Sequence, residues 1–100
     1  MRPFVGIAFI DMSPAIVARY GFSVNEGALV TTVQKDTPAE KAGLRRGDVI
    51  VTFAGERTPR AERLRLATQR HGVGETVEAV YVRGTTTYRT QLTLAESPIL

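Results

Sequence analysis

Residues 37–50, TPAEKAGLRRGDVI, combine the start of a helix, its end and the beginning of a strand. Thr37 and Glu40 form a capping box with a proline at the first helical position, which predicts that a helix begins here. Gly43 predicts the end of this helix within two turns, because glycine readily adopts the left-handed conformation that terminates helices. The apolar run Asp48–Phe53 predicts a strand directly afterwards.

The rest of the sequence predicts further strands and helices with short connections. Strands are predicted where β-branched or apolar residues follow one another, and helices where a capping residue precedes and a glycine follows. The strands are expected at Val5–Ile10, Ala28–Val33, Val77–Val82 and Tyr88–Leu94, the last two joined through Arg83-Gly84. The helices are expected at Pro14–Tyr20, between Ser13 and Gly21, and at Arg60–His71. This order indicates an α+β fold, a small, mostly antiparallel β-barrel or sandwich of five to six strands capped by two to three helices.

The composition is that of one ordinary globular domain, and it excludes several classes of protein. The chain has 100 residues, 43% of them hydrophobic and 23% charged, which argues for a single folded domain. Because cysteine is absent, disulfides, thiolate zinc sites and thiol nucleophiles are excluded. The net charge of +3 is too small to argue for nucleic-acid binding. No apolar run has the length of a membrane span and no signal peptide precedes the first strand, so we expect either a cytoplasmic chain or a piece of a longer protein.

Two motifs make the chain resemble the PDZ domain family. In residues 27–50, a strand, a short helix ending in Ala42-Gly43-Leu44 and the motif Gly47-Asp48-Val49-Ile50 follow one another as they do in that family. The motif Phe4-Val5-Gly6-Ile7 is similar to the loop that precedes the peptide-binding strand of such domains. The additional helix in residues 13–22 resembles the PDZ domains of the HtrA (high-temperature-requirement) serine proteases. The resemblance implies a single PDZ-like domain with its core in residues 4–96 and a tail or linker in residues 97–100.

The resemblance implies a peptide-binding groove between the N-terminal strand and the longest helix. A glycine at the bend of the loop lets successive N–H groups converge on one point, as the terminal carboxylate of a peptide requires. The peptide is expected to add as an antiparallel strand. The carboxylate loop is expected to comprise Arg2, Phe4, Val5, Gly6 and Ile7, the groove strand Ala8, Phe9 and Ile10, and the groove helix Leu64, Ala67, Thr68 and His71.

This largely apolar lining predicts Val, Leu, Ile or Phe as the last residue of the peptide. We expect Gly6→Val to abolish binding while most of the fold stays intact. The chain itself ends in Ile99-Leu100, so the tail of a neighbouring molecule is a further expected occupant of the groove.

No catalytic site, metal site or cofactor is expected within the chain. His71 is the only histidine, and no serine stands in a Gly-x-Ser-x-Gly or similar context that exposes a nucleophile. Asp11, Asp36 and Asp48 are far apart, and each is expected at a turn rather than in a metal site. The arginines of the longest helix are scattered over its faces, which is typical of a solvated helix rather than a nucleic-acid surface.

The sequence therefore predicts a PDZ module that captures C-terminal or exposed apolar peptide segments. By resemblance, it is the substrate-recognition or regulatory domain of an HtrA-type, trypsin-like serine endopeptidase of protein quality control. The resemblance implies that the module's partners include the protease domain of its own parent protein and that this parent is oligomeric. The family implies an extracytoplasmic location, either periplasmic or tethered to a membrane. The alternatives are an interaction module of a secretion or scaffold protein and a domain of another membrane-associated protease.

Overall fold

The computed structural model describes residues 2–97, and its elements follow the predicted order with three short strands added. The helices are α1 (Pro14–Tyr20), α2 (Pro38–Lys41) and α3 (Ala61–Gln69). The strands are β1 (Pro3–Phe4), β2 (Ile7–Asp11), β3 (Ala28–Val33), β4 (Val49–Phe53), β5 (Glu56–Arg57), β6 (Thr76–Arg83), β7 (Thr86–Thr93) and β8 (Ala95–Glu96). The sequence does not predict β1, β5 and β8, because two residues are too few to show a periodic pattern. Within residues 2–97, no helix has the length and apolar surface that crossing a bilayer requires.

Two antiparallel sheets form the framework of the described residues. The larger has six strands in the order β2-β3-β4-β6-β7, with β5 paired to β4, and the smaller joins β1 to β8. The main core connects this framework to Ala39 of α2 and to Leu64 and Ala67 of α3. A smaller cluster around Met12 and Val49 packs against the apolar residues of α1. The predicted small, mostly antiparallel α+β architecture is confirmed.

The two short helices begin and end where their local sequence predicts. The Ser13 hydroxyl accepts a hydrogen bond from the Ile16 N–H at 3.2 Å and so caps α1, which ends at Gly21 with a φ of +72°. The Thr37 hydroxyl caps α2 in the same way by accepting from the Glu40 N–H at 3.4 Å. Such caps depend only on neighbours along the chain, which is why the sequence predicts them correctly.

Several predicted boundaries differ from the structure by one or a few residues. The first long strand begins at Ile7 rather than Val5, because Gly6 has a φ of +93° that no extended strand contains. The hairpin between β6 and β7 turns at residues 84–85, one residue later than predicted. Helix α3 is shorter than the predicted span, because Arg60 is extended with a φ of −138°.

A buried ion pair fixes the beginning of β4 against the end of β6. Asp48 is only 1% exposed and accepts a hydrogen bond from the Arg45 N–H at 2.8 Å. The Arg83 guanidinium donates to both Asp48 carboxylate oxygens at 2.9 Å, and also to the Gly43 carbonyl at 2.9 Å. The hydrogen bonds to Asp48 raise the pKa of Arg83 above its ordinary value. The motif Gly47-Asp48 is therefore structural, since its carboxylate binds an arginine 35 positions further along the chain on the neighbouring strand.

Candidate functional site

An open groove lies between strand β2 and helix α3, and we call it the β2–α3 groove. Its volume is about 540 Å³, which is within the range typical of ligand sites. Its lining is mixed, with apolar side chains from the loop, β2 and α3 beside two arginines and three uncharged polar side chains. The lining residues are Arg2, Pro3, Phe4, Val5, Gly6, Ile7, Phe9, Leu64, Arg65, Thr68, Gln69 and Ser97. The structure thus brings all five residues of the predicted carboxylate loop together at this groove.

The loop around Gly6 has its carbonyl groups tied to the protein interior. The Val5 carbonyl accepts from the Ala39 N–H at 2.9 Å, and the Gly6 carbonyl accepts from the Gln34 N–H at 2.8 Å. A Cβ added at Gly6 would lie 2.3 Å from the Cβ of the buried Thr37, so that only glycine fits. In the described part of the chain, the structure shows no acceptor for the N–H groups of Val5 and Gly6. The loop therefore presents unpartnered backbone donors beside the groove.

Strand β2 is an edge of the larger sheet in the described part of the chain, and its outer side carries unpaired backbone groups. Ile7 lies opposite Val33, and the hydrogen bond from Gln34 to Gly6 flanks this pair. In an antiparallel ladder, pairs that exchange hydrogen bonds alternate with pairs that do not. The Ile7–Val33 pair is therefore one that does not, and the Ile7 N–H and carbonyl point away from β3. The alternation along β2 extends the same orientation to Phe9. The edge thus offers donors and acceptors from Ile7 and Phe9 to an additional strand.

Of the three β2 residues that the sequence suggests for the groove, only Phe9 lines it. Because side chains alternate along a strand, Ala8 and Ile10 lie on the opposite face, where both are exposed. Ile10 instead lines a separate recess with Ile16 and Tyr20 of α1. Ala8 and Ile10 thus belong to strand β2, to which a peptide is expected to add, and their side chains face away from the groove.

Two of the four α3 residues that the sequence suggests, Leu64 and Thr68, line the groove. Ala67 is not among the lining residues and packs in the main core. His71 lies beyond the end of α3 and outside the groove lining. The face of α3 toward the groove is thus rotated by roughly one residue step from the predicted face.

This rotation brings Arg65 and Gln69 into the lining, and the sequence predicts neither of them for the groove. The guanidinium carbon of Arg65 lies 5.8 Å from the centroid of the Phe9 ring, within cation–π range. A groove that is expected to be apolar can still include an arginine, because the long aliphatic stem of arginine covers apolar surface while its guanidinium stays solvated. The spacing of the charged residues along the helix does not indicate that Arg65 lines the groove.

His71 interacts with Glu75, just beyond the end of α3. The His71 Nδ1 lies 3.5 Å from a Glu75 carboxylate oxygen, and the other oxygen accepts from the Gly72 N–H. The Gly72 hydrogen bond, and after it the contact with His71, lower the pKa of Glu75 below its ordinary value. Among residues 2–97 there is no cluster of three or more side chains able to hold a metal ion.

Asp11, which the sequence predicts only as a turn residue, holds one end of the groove. Its carboxylate accepts a hydrogen bond from the Ala61 N–H at 2.6 Å, across 50 positions of the chain. Arg60 occupies the N-cap position of α3 but provides no side-chain cap of its own. Asp11 therefore caps α3 from the neighbouring strand, and its negative charge is favourable at a helix N-terminus. This bond ties the two walls of the groove together.

The sequence matches the family model described as PDZ domain over residues 3–94. A probable periplasmic serine endoprotease DegP-like of Chlamydia trachomatis is 35% identical over 97 residues, covering 97% of this chain and 20% of the relative. The serine protease Do-like HtrA of Bacillus subtilis is 28% identical over 90 residues, covering 82% of this chain and 20% of the relative. The chain thus spans about a fifth of the length of these curated relatives.

Solved structures show the same fold. The HtrA-type protease AlgW with decapeptide superposes with a TM-score of 0.90 at 24% identity, covering 97% of this chain and 30% of that one. The HtrA3 PDZ domain bound to a phage-derived ligand superposes with a TM-score of 0.81 at 22% identity, covering 93% of this chain and 85% of that one. The fold implied by the sequence resemblance is therefore confirmed, and the chain belongs to the PDZ domain family.

Proposed function

We propose that residues 4–96 act as one peptide-binding module that captures the C-terminal segment of a partner protein by strand addition. The observation that carries this proposal is the open edge of β2, which continues into a loop whose N–H groups have no acceptor in the described residues. An extended peptide has the complementary hydrogen-bonding groups along its backbone and a carboxylate at its end. Affinity of about micromolar is expected, since ordering a flexible peptide offsets much of the contact energy.

The terminal carboxylate binds, in this proposal, to the N–H groups of Val5, Gly6 and Ile7. Hydrogen bonds from N–H groups to a charged oxygen are about twice as strong as those between neutral partners. Arg2 lines the same groove just before the loop and adds a positive charge. Because the loop carbonyls are already bonded to Ala39 and Gln34, the loop is preorganised and its donors need no rearrangement.

The last side chain of the peptide enters the apolar part of the β2–α3 groove. Val5, Ile7 and Phe9 supply one wall, and Leu64 and Thr68 supply the other. The lining favours an aliphatic or aromatic residue there, because burial of such a side chain contributes about 1.5–3 kcal/mol. Exposed apolar segments within a chain are the alternative ligand of the same groove, and they lack the carboxylate contact.

The proposal extends to a longer parent protein, an HtrA-type serine endopeptidase in which the module selects substrates or regulates cleavage. Support comes from the relatives, which are named as periplasmic serine endoproteases and Do-like proteases. Similar solved structures carry a decapeptide or a phage-derived ligand. The periplasmic naming of the relatives also supports an extracytoplasmic location and a role in protein quality control. The predicted occupancy by Ile99 and Leu100 of a neighbouring copy concerns residues outside the described range.

The decisive measurement compares one apolar peptide ending in Val as the free acid and as the C-terminal amide. We expect the acid to bind at least about tenfold more tightly, because the amide loses the charge-assisted hydrogen bonds to the loop. Fluorescence anisotropy with labelled peptides measures both dissociation constants. A peptide ending in Ser is the control for the apolar subsite.

Equal binding of acid and amide would contradict the carboxylate assignment and would point to recognition of internal apolar segments. Failure of both peptides to bind would contradict the proposed function as a whole, and the PDZ fold would then serve docking within its own parent protein.

Asp11→Ala is expected to lower the free energy of unfolding by about 1 kcal/mol, the usual effect of removing a helix N-cap. It also weakens peptide binding a few-fold, because the walls of the groove are no longer tied at the Asp11–Ala61 bond. Urea unfolding and peptide anisotropy measure the two effects on the same protein.

Ser13→Ala is the matched control for this prediction. It removes the cap of α1, which lies outside the groove lining, and is expected to lower stability by a similar amount, about 1 kcal/mol. Peptide affinity should stay unchanged in this variant. If the two variants weakened binding equally, the loss would reflect stability alone and the bond would have no role in the groove.

A further inference from the structure

The strand order of the larger sheet ends on β2 at one side and on β7 at the other. Strand β7 has eight residues, against five in β2. In residues 2–97 it pairs with β6 alone, and the register of that ladder is continuous. Because the β2–α3 groove does not include β7, a partner bound at this second edge goes beyond the proposed function.

Two hydrogen bonds show which backbone groups of β7 point outward. The Leu94 N–H donates to the Glu75 carbonyl at 2.9 Å, and the Ala54 N–H donates to the Glu78 carbonyl at 2.8 Å. Leu94 therefore faces β6, while the carbonyl of Glu78 faces β4 and not β7. Since this orientation alternates along an antiparallel ladder, every second residue of β7 directs its N–H and carbonyl outward. These residues are all exposed: Thr87, Arg89, Gln91 and Thr93.

Within the described residues, β7 lacks most of the features that usually protect a sheet edge. Natural edges are kept from pairing by proline, bulges, covering elements, charges or brevity. The strand contains no proline, and in residues 2–97 its outward N–H groups have no acceptor. Its one charged side chain, Arg89, lies 3.6 Å from Glu78 of the same sheet, which balances its charge. The edge is therefore free to pair with another strand.

The sequence of β7 is complementary to a second copy of itself. When two copies pair antiparallel around a two-fold axis, outward residues lie opposite outward residues. With Thr90 on the axis, Arg89 lies opposite Gln91 of the second copy. Thr87 then lies opposite Thr93 of the second copy, so that all four outward residues exchange hydrogen bonds. An axis at Arg89 would instead place two arginines directly opposite each other, which is unfavourable.

We propose that β7 is a self-association surface, at which two copies of this chain join their larger sheets through an antiparallel pair centred on Thr90. The β2 edges then lie at the two far ends of one continuous sheet, where both stay open to peptides. Because the contact is only one strand wide, the dimer is weak, with a dissociation constant of about 10–1,000 µM.

Sedimentation equilibrium of the unaltered chain between about 10 µM and 1 mM tests this association. We expect the average mass to rise with concentration from that of one chain toward that of two. Gln91→Pro removes an outward N–H that the sheet itself does not use, and its ring obstructs the edge. It is expected to weaken dimerisation at least about tenfold. Gln91→Thr keeps the N–H and is the matched control, which should dimerise like the unaltered chain.

A charge exchange tests the register without a proline. Within one chain, Thr87 lies opposite Val82 and Thr93 opposite Thr76, so new charges at positions 87 and 93 meet each other only across the dimer. Thr87→Lys combined with Thr93→Glu should tighten the dimer, and Thr87→Lys combined with Thr93→Lys should weaken it. We expect their dissociation constants to differ by about three- to thirtyfold, and by less at high salt.

A chain that stays monomeric at every concentration overturns the inference. A dimer that Gln91→Pro leaves intact, or whose two charge variants dissociate equally, overturns it as well. If circular dichroism shows that Gln91→Pro does not fold, the charge variants decide. Peptide affinity should stay unchanged in all these variants, because no β7 residue lines the groove. A chain that dimerises but binds no peptide would contradict the proposed function and leave the self-association standing.

Discussion

Gly6→Ala lowers the free energy of unfolding by about 2–5 kcal/mol and weakens peptide binding more than about tenfold. Gly6 has a φ of +93°, a conformation that costs an alanine about 1–2 kcal/mol. Its Cβ would lie 2.3 Å from the Thr37 Cβ, and overpacking of this kind costs about a further 1–3 kcal/mol. The loop must then move, and its N–H groups lose their common direction. Urea unfolding and peptide anisotropy measure the two losses.

Gly74→Ala separates the strain of the backbone from the overlap with Thr37. Gly74 has nearly the same φ, +92°, but an added Cβ there meets no atom within 4 Å. We expect it to lose about 1–2 kcal/mol of stability and no peptide affinity. If Gly6→Ala and Gly74→Ala lowered the free energy of unfolding equally, the overlap of an added Cβ with Thr37 would make no contribution to that loss.

Asp48→Asn lowers the free energy of unfolding by about 2–4 kcal/mol. The substitution removes the charge of a residue that is 1% exposed and leaves the Arg83 guanidinium without its anion. Breaking a fully buried pair costs about 3–5 kcal/mol. The effect is smaller here because the Arg83 side chain is 29% exposed. Urea denaturation at neutral pH gives the value.

Glu78→Gln is the control for this second prediction, because it removes the same kind of charge from a solvated pair. Arg89 and Glu78 lie 3.6 Å apart with side-chain exposures of 73% and 46%. We expect a change within about 0.5 kcal/mol. Equal effects of Asp48→Asn and Glu78→Gln would mean that burial does not strengthen the Asp48–Arg83 pair.

The sequence predicts those parts of the structure that depend on neighbouring residues. The caps Ser13 and Thr37 act over three positions, so the beginnings of α1 and α2 are visible in the sequence. The loop around Gly6 is visible because its glycine and flanking apolar residues are contiguous. The stability cost of a substitution at Gly6 is not visible in the sequence, since Thr37 approaches Gly6 only in the folded chain.

Features that join distant parts of the chain are not predicted. Asp11 caps a helix 50 positions away, and the Asp48–Arg83 pair spans 35 positions. The groove face of α3 is a further example: its rotation depends on how Leu64 and Ala67 enter the core, and that packing decides that Arg65 reaches Phe9. Local pattern determines that a helix forms, but tertiary packing determines which of its side chains meet a ligand.

The hydrogen bond from the Ala39 N–H to the Val5 carbonyl makes one amide proton a reporter on the loop. Exchange of this proton with deuterium requires the bond to open, and opening it releases the loop from α2. A ligand held by the loop therefore slows the exchange at Ala39, although Ala39 itself is fully buried and touches no ligand. A ligand that occupies the groove without engaging the loop leaves the rate of this local opening unchanged. Ligands ending in a carboxylate and internal apolar segments are thus distinguishable by the isotope content of a single amide, with no label on the peptide.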